Sequence, residues 1–94
     1  MNEEKEFVVV LGVNSVTGLF LTESLWEADG RWGEHPFWIS THLGVESNFL
    51  LLNLERTTDT KTYTLCVRIP HSSVVCVVEI AKGALPFAFV KVKN

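Results

Sequence analysis

An all-β domain is what this chain predicts: a small antiparallel sandwich or barrel of about six to seven strands, with room for one short helix. Three observations point there. Runs rich in Val, Phe, Leu and Thr recur along the chain and are separated by turn residues at short, regular spacing. Residues 62–69 alternate strictly, Tyr63, Leu65, Val67 and Ile69 against Thr62, Thr64, Cys66 and Arg68, which is the period of a strand with one buried face. Finally, 94 residues that are 47% hydrophobic and 20% charged can enclose one core, and read as a single globular domain.

The elements follow in order. Residues 7–13 read as a first strand. Residues 18–26 read as a second, with a helix over 16–28 as the alternative, since Val16, Leu19, Phe20 and Glu23 have helical spacing while Gly18 and Thr22 oppose it. Asp29-Gly30, Gly33 and Pro36 are turn signals that predict an irregular excursion before a strand at 37–42. Residues 48–56 and 61–69, joined by Thr57, Thr58, Asp59 and Thr60, make the clearest hairpin, with Leu50, Leu52 and Leu54 lining the same core as Tyr63, Leu65, Val67 and Ile69. Pro70, His71, Ser72 and Ser73 suggest a further hairpin into 73–81. A helix capped by Ser72 competes there, but four valines favour a strand. Residues 86–92 close the list, with Lys91 and Lys93 as edge protection.

Residues 7–11 and 74–78 are apolar on both faces, which a strand with a wet face should not be. A partner subunit covering one face, and hence a homodimer through one of these strands, is the expectation. Cys66 and Cys76 would face each other across the ladder if the turn at 70–72 were a three-residue loop. With only two cysteines in the chain, packed and reduced thiols are the expected state.

The acidic start MNEEKE is unlike the basic start of a secretory leader, and no apolar run approaches the roughly 18 residues of a membrane span. A cytoplasmic protein with no membrane contact is expected. Charge is split along the chain: residues 1–46 carry eight acids and two bases, net −6, and residues 47–94 carry three acids and six bases, net +3. The aromatics lie with the acids, which argues against direct nucleic-acid binding.

Enzyme chemistry finds little footing. His35 and His42 with Glu34 fall short of a metal site, because no third ligand stands at a recognised spacing. A zinc site from Cys66, Cys76 and His71 lacks a fourth ligand. His71-Ser72-Ser73 places a base beside hydroxyls, but no carboxylate is singled out to orient the imidazole. Leu11-Gly12-Val13-Asn14 has one glycine where a phosphate-binding loop needs more, so Gly12 reads as a bulge or tight turn. No cofactor is expected, and a small hydrolase or metal-dependent enzyme ranks third among the functions considered.

The densest chemistry is DGRWGEHPFWISTHLG at residues 29–44. Trp26, Trp32, Phe37 and Trp38 lie close together, flanked by Glu23, Glu27, Asp29 and Glu34, with Arg31 the sole base among them. Aromatic anchors, a central Arg and an acidic rim are the ingredients of an interface hot spot aimed at a basic protein surface. Trp26, Asp29, Arg31, Trp32, Glu34, His35, Phe37 and Trp38 are therefore the candidate binding residues of a non-enzymatic interaction module of the inhibitor or adaptor type. Two alternatives use the same residues. The rings could fold back to cap the core. Trp32 or Trp38 could instead stack a sugar or nucleobase whose edge meets Asp29, Arg31 and His35.

Overall fold

The computed structural model describes residues 4–92, with only the backbone described at Ser24 and Leu25. The expected all-β class with one short helix is what it shows, as a single antiparallel sheet that does not close into a barrel. The strands are β1 (Lys5–Leu11), β2 (Gly30–Trp32), β3 (His35–Val45), β4 (Phe49–Thr57), β5 (Thr62–Pro70), β6 (Val74–Ala81) and β7 (Phe89–Lys91). The main path runs β5-β4-β3-β1-β6, while β2 pairs with β3 and carries β7 on its far side.

The long strand β3 organises the sheet. Residues 37–40 pair with β1 along one side. Along the other side β2 takes residues 35–37 and β4 takes residues from Ser40 to Val45, so two strands abut end to end on one edge. The Ile39 amide falls at the junction, where Asp29 Oδ2 accepts its hydrogen bond at 2.6 Å. Between Ser40 and Leu43 the register against β4 slips by a residue. Buried Ser40 absorbs that bulge: its hydroxyl accepts from Asn53 N–H at 2.8 Å and reaches the His42 and Asn53 carbonyls. A buried backbone group left without such a partner would cost about 1–3 kcal/mol.

Alternation along the strands builds two cores. Val9, Leu11 and Trp38 face one side with Leu50, Leu52, Leu54 and Ile69. Val8, Val10, Phe37 and Ile80 face the other, under Leu85 and Phe89 of the carboxyl-terminal segment. The doubly apolar character of 7–11 thus has an intramolecular cause: the chain's own residues cover the second face, where a partner subunit had been expected. β1 is moreover central in the sheet, between β3 and β6, so it offers no edge for association.

Other expectations change too. Residues 18–26 are not a strand. Ser15 accepts the Gly18 amide at 2.9 Å as an N-cap, starting helix α1 (Val16–Phe20), and a π-helical turn (Leu21–Leu25) follows, with Trp26 N–H donating to the Leu21 carbonyl at 2.6 Å. Gly18, which had weighed against a helix, is buried, and a Cβ there would lie 3.0 Å from the Ser15 hydroxyl. The excursion at 29–36 is instead the β2–β3 hairpin, turning at Gly33, whose φ of +60° suits glycine at the first position of a two-residue turn.

The hairpin expected at 70–73 does not form either. β4 and β5 pair in unbroken register, but a 3₁₀ turn (His71–Ser73) then carries the chain to β6, which pairs with β1. Cys66 and Cys76 therefore sit on strands at opposite ends of the sheet order, both free, and Cys66 is exposed where core packing was expected. Lys91 does lie on the edge strand β7, whereas Lys93 falls outside the described residues.

A candidate docking surface on the helix and first hairpin

The structure splits the predicted site. Phe37 and Trp38 are fully buried, one in each core, because consecutive β3 residues point to opposite faces. The Trp38 indole N–H donates to the Trp26 carbonyl at 3.0 Å, which satisfies its only polar atom. Neither residue can meet a partner, so the expected outward presentation fails for both; for Phe37 and Trp38 the rings fold inward as in the capping alternative.

Asp29 is a structural carboxylate. Besides holding the Ile39 amide it lies 3.3 Å from Arg56 Nη2, and its backbone carbonyl accepts from Val92 N–H at 3.0 Å. Burial pushes its pKa above the usual 3.8, opposed by the Ile39 hydrogen bond and the charges of Arg56 and Lys91.

The exposed members gather at the β2–β3 hairpin. Trp32 is 39% exposed and stacks on His35 at 5.7 Å and on Phe89 at 6.2 Å. Arg31 and Glu34 are exposed, with Arg31 Nη1 donating to the Glu34 carbonyl at 3.4 Å. His35 is half-buried, and its Nδ1 accepts the Val13 amide at 3.1 Å, which puts any ring proton on Nε2. That bond also ties the hairpin to the loop before α1.

Sequence reasoning missed what lies beside the hairpin. On α1 the residues turned inward are Gly18 and the following Leu21, so Val16, Leu19 and Phe20 are 80%, 52% and 53% exposed. The helix shows its apolar stripe to solvent, the reverse of an ordinary surface helix. Val13, Leu19, Thr22 and Glu23 of this segment and Arg31 and Pro36 of the hairpin share the wall of a cleft of about 110 Å³. The helix and the Arg31–Pro36 face of the hairpin therefore form one surface, apolar at the centre and carrying Glu23 and Arg31 with Glu34 at the turn, whereas Trp32, stacked on Phe89 beside the second core, points to the opposite face. The helical spacing of Val16, Leu19 and Phe20 was the signal that could have found it.

Among the described residues no three His, Cys, Asp or Glu gather as a metal site would require. No described helix is long and apolar enough to cross a membrane. Comparison of the chain with protein-family models, with curated proteins and with solved structures finds no match, so its residues alone speak for its function.

Proposed function

We propose that the protein is a non-enzymatic interaction module of the inhibitor or adaptor type, acting in the cytoplasm, that docks a basic protein surface through α1 and the β2–β3 hairpin. The observation that carries this reading is the outward apolar face of α1. Val16, Leu19 and Phe20 lose hydrophobic stabilisation while they face water and regain it against a partner, at about 25 cal/mol per Å² buried. Arg31, which shares the cleft with Leu19 and Glu23, supplies a residue type that anchors interfaces. The Glu23 and Glu34 carboxylates favour a partner with Lys or Arg around its contact patch. Self-association, if it accompanies this function, uses the free edge of β6 in place of the central β1.

The test is affinity capture from source cells, followed by titration of the purified partner against the Leu19→Ser/Phe20→Ser double variant. Binding should fall at least tenfold with an unchanged melting temperature, since both side chains are half exposed. Glu23→Gln/Glu34→Gln should weaken binding and flatten its salt dependence. Undiminished binding by the double variant would remove the proposal, as would a partner whose contact patch is acidic.

A further inference from the structure

A second recess lies away from the helix, and its chemistry is lopsided. Trp26, Glu27, Arg56 and Tyr63 line an open hollow of about 290 Å³. Arg56 and Tyr63 are directly opposite in the β4–β5 ladder, and the Arg56 guanidinium lies 5.2 Å from the centre of the Trp26 ring. An indole wall and a phenol wall therefore flank a guanidinium held in place by Asp29 and by the Glu27 carbonyl. That fixing makes the hollow preformed.

Its donors and acceptors do not balance. Among the described residues neither the Trp26 indole N–H nor the Tyr63 hydroxyl has a hydrogen-bond partner. The nearby carbonyls are already used: that of Trp26 accepts from Trp38, and that of Glu27 accepts from Arg56. The recess thus offers apolar ring faces and spare donors. Its one strong free acceptor is the exposed Glu27 carboxylate, which makes no ion pair among the described residues.

A matching ligand is apolar, rich in acceptors, poor in donors, and positively charged at one side. A sugar or nucleobase, which brings donors of its own, fits poorly. A polyproline II segment fits well, because proline has no N–H, its carbonyls remain unsatisfied along the helix, and its rings pack on aromatic walls at little entropic cost. We propose that the recess between Trp26 and Tyr63 binds a proline-rich peptide segment that carries a basic residue beside its prolines. This site is separate from the helix and hairpin surface and stands or falls independently of it.

Two synthetic peptides of about ten residues test it, one all proline and one ending in arginine. Each is titrated into the full chain while the three indole N–H resonances are followed by heteronuclear NMR. The arginine peptide should shift the Trp26 resonance saturably and leave that of buried Trp38 unmoved. Tyr63→Ala should weaken binding about tenfold, the loss of one of two aromatic walls, and Tyr63→Phe should weaken it less. Glu27→Gln should weaken the arginine peptide to the level of the all-proline one. Tyr63 is half exposed, so these variants keep the fold, which the unshifted remainder of the spectrum reports. The proposal is overturned by the absence of a saturable shift, by binding that survives Tyr63→Ala, or by a free nucleoside or monosaccharide saturating the Trp26 shift where the peptides do not.

Discussion

Replacing Gly30 by alanine should unseat the carboxyl-terminal strand. Gly30 is buried between Phe37 of β3 and Lys91 of β7. A Cβ at this position would lie 2.5 Å from Phe37 Cζ and 2.9 Å from Lys91 Cα, and nearer still to the Val90 carbonyl oxygen. Carbon atoms settle about 3.5–4.0 Å apart, so β7 must retreat by roughly 1 Å. That displacement exceeds the tolerance of an N–H···O bond, and the three pairs between β2 and β7 would loosen together. Phe89 would withdraw from the second core, where it meets Phe37 at 5.6 Å. Overpacking of this kind costs about 1–3 kcal/mol, and losing part of the burial of a phenylalanine adds roughly 1–2 kcal/mol. Together these come to about 2–5 kcal/mol, and at about 4–8 °C per kcal/mol the midpoint should fall by roughly 8–40 °C. Thermal unfolding followed by circular dichroism at fixed protein concentration measures it, with Gly33→Ala as the comparison, since nothing lies within 4 Å of a Cβ there and only its φ of +60° is strained. A Gly30→Ala midpoint within a degree of the parent would refute the close-approach reasoning.

Trp38→Ala should cost about 3–5 kcal/mol in chemical denaturation, because a buried ring and its hydrogen bond are lost together, whereas Trp32→Ala should cost about 1 kcal/mol; equal losses would contradict their different burial. Ala88→Gly should raise the melting temperature by a few degrees, because Ala88 holds a φ of +80°, in a region that charges about 1 kcal/mol or more to residues with a Cβ, and a fall would refute it. Asp29 makes stability depend on pH with a definite sign. Its pKa is raised by folding, so between 3.8 and the raised value the unfolded chain ionises first and the native state loses stability as pH rises. Urea titrations across that window should show a shallower fall for Asp29→Asn than for the parent, and a steeper one would reverse the assignment.

How much was legible from the sequence depended on whether the decisive interaction was local. The β4–β5 hairpin was readable because each inward residue, Leu50, Leu52 and Leu54, meets an inward partner, Ile69, Val67 and Leu65, a short loop away. The path of β6 was not, since nothing between Pro70 and Val74 says whether the chain doubles back on β5 or crosses to β1. Residues 18–26 misled for a different reason. Leu19, Phe20 and Leu21 suit a strand, and one hydroxyl, that of Ser15, tips them into a helix. Of the candidate site, the composition showed only where aromatics and acids cluster; the alternation of β3 buries Phe37 and Trp38, a consequence visible only once the strand has two covered faces. Arg56 and Tyr63 came from a distant hairpin and carried no signal in the segment they join.

The division of one edge of β3 between two neighbours has a dynamic consequence. β2 and β7 are three residues long each, and the contacts holding them to the larger sheet run through the β2–β3 pairing, the Asp29 junction and Phe89. Such a patch can detach while the β5-β4-β3-β1-β6 body stays intact, so amides of residues 30–32 and 89–91 should exchange with solvent hydrogen far sooner than those of residues 8–10. The hairpin that carries Trp32 would then be the first part of the sheet to yield when another molecule presses against it.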